Sequence, residues 1–179
     1  MRNNPKVYSG TTALFEYVFN RTPDIALLHL LLAHGADPNI SDFERQTPLH
    51  IACQTQQTQV VAVLVNHMSL RVLDKLDSKQ HTPLIKAVLG GSTEIALMLL
   101  KHGANPNIGT VTDPNGSKGT LLHLAAATGN LVVIEALLKH GANHLSLDSG
   151  GKRAQSIAEE HRHPEAAQIL AAFARRARS

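Results

Sequence analysis

A chain of 179 residues has the length of one domain, and 43% hydrophobic residues are enough for a continuous core. A formal charge of +3 with a pI near 9.2 permits an acidic partner without demanding nucleic acid. One cysteine, Cys53, excludes an internal disulfide framework. No stretch approaches the roughly 18 consecutive apolar residues of a membrane span. The first residues, MRNNPKVYSGTT, lack the apolar centre of a secretory signal. The expectation is a soluble, cytoplasmic protein, with the nucleus as an alternative.

In chain order, Met1 to Thr11 is polar. A first unit, about residues 7–41, places a helix from Thr12 and a second from Asp24 to Ala33, with Gly35 as its stop. Phe15 and Tyr17 are bulkier than their counterparts downstream, which suits a terminal unit packed on one side. The second unit, about 42–76, opens with Thr47-Pro48-Leu49-His50. Its second helix is expected over Thr58 to His67. Gln56 stands where later units have Gly91 and Gly129, and Met68 stands where they have Gly103 and Gly141. Without a left-handed glycine there, Asn66 or His67 is expected to bend the chain into a loop over Met68 to Lys79.

The third unit, about 77–112, is the cleanest. Thr82 caps a helix by accepting from its free first-turn amides, and Pro83 sits at the first helical position, where a missing N–H costs nothing. Gly90 and Gly91 end that helix, Ser92 caps the next, and Gly103 closes it. The fourth unit, about 113–147, repeats this as Thr120-Leu121-Leu122-His123 through His140-Gly141-Ala142-Asn143. Before it, Ile108 to Gly119 reads as a lengthened finger projecting from the stack, with a turn at Asp113-Pro114-Asn115-Gly116. The fifth unit, about 148–174, is polar, as a terminal cap requires, and residues 175–179 form a basic tail with Arg175, Arg176 and Arg178.

Successive opening threonines lie 35, 35 and 38 residues apart, and Arg153 follows Thr120 by 33. A period near 33 residues with T-P-L-H marks a helical repeat array, because two short antiparallel helices cannot bury their apolar faces alone. On Thr47-Pro48-Leu49-His50, HGADPN at His34 and HGANPN at His102, the sequence resembles the ankyrin-repeat family over most of its length. The resemblance implies an all-α solenoid, a single domain over residues 1–179, with hairpin-like finger loops. It also implies that finger tips and first helices form a concave groove for a partner protein.

Offsets from each threonine put Tyr8, Phe43, Glu44, Gln46, Ser78, Lys79, His81, Ser117 and Lys118 on the fingers. Phe19, Gln54, Thr55, Leu89, Thr128 and Glu160 fall on the groove floor by the same count. The expected partner contacts are Phe43, Glu44, Gln46, Gln54, Thr55, Lys79, His81 and Leu89. Phe43 is the most informative of them, since an aromatic in a turn can anchor a partner. The resemblance leaves scaffold, inhibitor or adaptor subunit, and effector open, with the chain monomeric on its own. The alternative is nucleic acid or an acidic partner at the basic C-terminal region, including Lys152 and Arg153. Asn39 lies in a segment resembling those modified by asparaginyl hydroxylases.

Eleven histidines raise the question of metal. The resemblance assigns His50 and His123 to bonds with the backbone and threonine of their own units. His34, His102 and His140 sit at helix C-termini, where a partly protonated ring suits the dipole. The His161/His163 and His140/His144 clusters lack cysteine or carboxylate company at zinc spacing. No serine-hydrolase elbow, zinc-protease helix or phosphate-loop motif occurs. Neither enzyme activity, metal nor cofactor is expected.

Overall fold

In a computed structural model, residues 13–20, 24–68, 70–112 and 116–176 are described, with Leu70 and Arg71 as backbone only. Five helix pairs follow one another along the chain. The first helices of each pair are α1 (Ala13–Phe19), α3 (Pro48–Gln54), α6 (Pro83–Leu89), α8 (Leu121–Thr128) and α10 (Ala154–Glu160). The second helices are α2 (Ile25–Ala33), α4 (Thr58–His67), α7 (Thr93–Lys101), α9 (Leu131–Lys139) and α11 (Pro164–Arg176). A single turn, α5 (Leu70–Leu73), and a two-stranded ribbon, β1 (Val111–Thr112) and β2 (Lys118–Gly119), are the irregular additions.

Local chemistry sets the helix starts. The Thr47 and Thr82 hydroxyls accept from the amides of His50 and Ile85, each followed by proline at the first helical position. Asp24, Ser92 and Asn130 cap α2, α7 and α9 in the same way. Gly103 and Gly141 take the left-handed conformation after α7 and α9. Gln56 does so too (φ 59°), matching Gly91 and Gly129, and its side-chain amide donates to the Gly90 carbonyl.

Second helices pack on second helices in sequence order, and one continuous cluster of buried apolar residues runs from Leu14 to Leu170. First helices approach closely in the pairs α1–α3, α3–α6 and α8–α10, but α6 and α8 do not. Val88 on α6 and Leu124 on α8 are half-buried, whereas their counterparts Cys53, Ala126, Ile51 and Ile157 are buried.

Three expectations need correction. Asn66 and His67 stay helical, donating to the carbonyls of Ala62 and Val63. The chain turns instead at Met68, in extended conformation (φ −109°, ψ 147°). The expected loop over Met68 to Lys79 contains α5, whose Leu73 is 1% exposed. This segment also bonds to its neighbours: Lys75 donates to the Asn39 carbonyl, and Asp74 accepts from the Asn105 amide. The long finger does not simply project. Val111 is buried, β1 pairs with β2, and Ser117 hydrogen-bonds Asp148 and Ser149 of the next finger. The basic stretch from residue 175 begins inside α11, which extends to Arg176; Arg178 lies outside the described residues, as do Tyr8 and Thr12.

Candidate functional site: the finger edge and first-helix row

Each compact finger is a five-residue turn built on an aspartate. Asp77 accepts from the amides of Lys79 and His81 through one carboxylate oxygen, and Asp148 does the same for Gly150 and Lys152. Asp42 accepts from the Gln46 amide. These aspartates all stand five residues before the unit's opening position, a recurrence the offsets from the threonines contain and that marks them as turn formers.

Backbone bonds then tie finger to finger: Ser78 N–H to the Glu44 carbonyl, Thr110 to Gln80, and Ser149 to Lys118. Phe43 is thus held out on a locked turn, 72% exposed, and Phe19 at the end of α1 is 64% exposed. They are the two most exposed large apolar side chains among the described residues. Leu89, Gln54, Glu44 and Lys79 are exposed on the same edge and row, with Thr55 half-buried and bonded to the Ile51 carbonyl.

Two of the expected contact residues are less available. Gln46 is buried, and its side-chain amide donates to Glu44, so it braces the finger from beneath. His81 is half-buried with its Nδ1 enclosed and unbonded; burial first, with the Lys86 and Lys79 charges, lowers its pKa against the opposing pull of Asp77. Any titration of His81 therefore falls at more acidic pH than that of a free imidazole.

Beneath the third finger lies an ion pair that spacing alone did not suggest. Lys86 stands where the second, fourth and fifth units carry Ile51, Leu124 and Ile157 and the terminal first unit carries Glu16, and its Nζ lies 2.9 Å from Asp77, both side chains nearly enclosed. A charged residue where both flanking units are apolar was its signal. Burial raises the Asp77 pKa, but the His81 amide and Lys86 outweigh it and hold the carboxyl below its usual range.

Most of the histidines make structural bonds. Thr47 N–H donates to His50 Nδ1 (3.1 Å), which leaves Nε2–H to donate to the His81 carbonyl of the next unit. His123 repeats this with Thr120 and the Lys152 carbonyl. The third unit has Ile85 at that position, so no such bridge leads to the fourth. Burial drives the His50 pKa down to about 4, against weaker opposing contributions from the His81 carbonyl and Asp77. His34, His102 and His140 donate from Nδ1 to the carbonyl four residues back, and His163 bonds the Ala127 carbonyl. No three potential metal ligands converge among the described residues. Cys53 is fully buried, and burial pushes its thiol pKa far up, away from nucleophilic use.

The five stacked pairs repeat one plan, with the aspartate finger in three places and the bridging histidine in two. A family model described as ankyrin repeats (3 copies) matches residues 14–110, and one described as ankyrin repeat matches residues 119–149. The chain belongs to the ankyrin-repeat family. Ankyrin repeats generally mediate protein–protein interaction and are not themselves catalytic. Among similar proteins, transient receptor potential cation channel subfamily A member 1 of Homo sapiens is 32% identical over 67% of this chain. The probable E3 ubiquitin-protein ligase XBOS31 of Oryza sativa subsp. japonica is 36% identical over 69%, and the B-cell lymphoma 3 protein homolog of Mus musculus is 31% identical over 75%. The ankyrin chain spans only 10%, 27% and 29% of their respective lengths. No helix among the described residues is long and apolar enough to cross a membrane.

Proposed function

We propose that this ankyrin-repeat chain is a non-catalytic module that binds a partner protein across its finger edge and first-helix row. The observation that carries the reading is Phe43: a strongly exposed aromatic on a turn fixed by Asp42 and by the Ser78–Glu44 bond. An aromatic on a backbone already fixed has only its side-chain torsions left to order on contact, which suits an anchor. Glu44, Gln54, Thr55, Lys79, His81 and Leu89 surround it as the contact surface, and Gln46 supports Glu44 from below.

The basic C-terminal alternative has less behind it. Lys152 already pairs with Glu160 at 2.8 Å, and Arg175 and Arg176 share the last turn of a packed helix.

Capture of a partner by the intact chain tests the reading. Phe43→Ala should weaken binding by about 30-fold, the scale of a hot spot, with the melting temperature unchanged. Lys101→Ala and Glu135→Ala, on the second-helix row, should leave it intact. A partner lost on the second-row changes and kept by Phe43→Ala would overturn the proposal.

A further inference from the structure

The place where α6 and α8 fail to close is a candidate slot. Four apolar side chains border it: Val88 and Leu89 on α6, Leu124 and Ala127 on α8, all at least partly exposed. Val88 and Leu124 are half-open, whereas Cys53 and Ala126 at the first position and Ile51 and Ile157 at the second are buried, so the opening sets this junction apart from its two neighbours. The fingers on either side carry Lys79 and Lys118, which are exposed and make no ion pair among the described residues. They are also the only exposed charges among the described residues of those two fingers, because Asp77 is spent on Lys86; Asp113 lies outside that set.

We infer that this slot receives a bulky apolar side chain from an extended, acidic segment of the partner protein. The inference rests on the partner-binding reading above. An apolar recess gains from desolvating a leucine-sized or aromatic group, and two unpaired cations at its rim favour carboxylates over lysines. Closely packed helices lie about 8–10 Å apart, and α6 and α8 do not approach that closely, so their fingers are separated by at least that distance. An extended chain advances about 3.3 Å per residue, so carboxylates at least about three residues apart, with the apolar residue between them, are needed to meet both lysines. A nucleic acid would satisfy the lysines but would offer the recess no aliphatic or aromatic side chain.

Selection from a random peptide display library on the intact chain, followed by binding of synthetic consensus peptides, tests this. The expected consensus is one Leu, Phe or Trp flanked by Asp or Glu. Lys79→Glu with Lys118→Glu should weaken the peptide about tenfold, an effect of the size expected for two exposed charge contacts. Filling the slot by Ala127→Phe should abolish binding, while Lys101→Glu with Lys139→Glu should change nothing. The lysine pair lies on exposed finger positions and remains informative if Ala127→Phe lowers the melting temperature. A consensus without acidic residues, no recovered peptide, or indifference to both slot variants overturns the inference. So does a single-stranded oligonucleotide that outcompetes the peptide. Peptides that need Phe43 but ignore Ala127 and the two lysines remove the slot and leave the Phe43 surface standing. Peptides indifferent to all of these changes remove both.

Discussion

The junction between the second and third units and the junction between the third and fourth are built differently. At the first, α3 and α6 lie close, His50 bridges to the His81 carbonyl, and Lys86 reaches both Asp77 and Gln54. Gly90 makes the close approach possible, since a Cβ there would stand 3.2 Å from the Gln54 carbonyl oxygen. At the second, the histidine is Ile85, the first helices stand apart, and five extra residues enter the finger relative to a 33-residue period. That junction is held from its other side. Asn130 bonds Thr93, Asn107 bonds the Gly141 carbonyl and the Asn143 amide, and α7 packs on α9. The two family matches also part here, at residues 110 and 119. In a repeat array, cohesion is a sum of nearest-neighbour interfaces, so a single altered interface can divide one stack into two cooperative blocks.

The comparison can be broken most sharply at the buried ion pair. Lys86→Ala should cost about 4 kcal/mol in chemical denaturation, because it strands a buried carboxylate and removes the packed lysine stem. Adding Asp77→Asn should recover part of that loss. A cost below about 1 kcal/mol would mean that the second–third junction draws nothing from the pair.

Acid should loosen the same junction. The native fold needs a neutral His50, whose pKa is lowered to about 4 from a free value of 6.5. Below about pH 6.5 the unfolded chain takes up a proton that the folded chain refuses, so stability falls with pH and the loss levels off near pH 4. The full effect is about 3 kcal/mol. His50→Gln should reduce the slope across that window, leaving the remainder that the lowered pKa of His81 contributes, read from urea midpoints at successive pH values. Asp77, with its lowered pKa, supplies stability that is complete above the unfolded value of about 4 and is lost only at lower pH, so the two windows separate. An unchanged slope in His50→Gln would assign the effect elsewhere.

Uneven spread of instability sharpens the comparison further. Leu170→Ala in α11 should cost about 2 kcal/mol and speed hydrogen exchange in α8 to α11, while α3 and α6 keep their protection. Equal acceleration in α3 would show that the third–fourth junction transmits as well as the others. The smallest effect is expected at the tip of the long finger. Removing residues 113–115 should shift stability by less than about 0.5 kcal/mol, because closure entropy changes slowly with loop length. Extending the deletion through Ser117 and Lys118 should cost more, since these bond Asp148 and Ser149.

What was legible in the sequence follows the range of the forces involved. The starts of α3, α6 and α7 were readable because Thr47, Thr82 and Ser92 act on amides three residues away. The turn α5 was not, because its order comes from burying Leu73 and from Lys75 and Asp74 reaching residues more than thirty positions distant. Phe43 was readable as exposed because it stands in the middle of a tight turn, away from the helix that follows. Gln46 looked equally available, and only its contacts with Glu44 and the finger above α3 reveal its burial. Nothing in the sequence marks Val88 and Leu124 as exposed; their partial exposure appears only when α6 and α8 are set side by side.

Cys53 has a practical consequence. It is the chain's single thiol, sits in α3 at the closely packed junction, and is shut off from solvent both sterically and by its suppressed ionisation. An alkylating reagent can reach it only through a transient opening of that helix. The native molecule therefore carries its own clock, and the labelling rate under mild conditions times how often α3 lifts away from its neighbours, with no reporter group added.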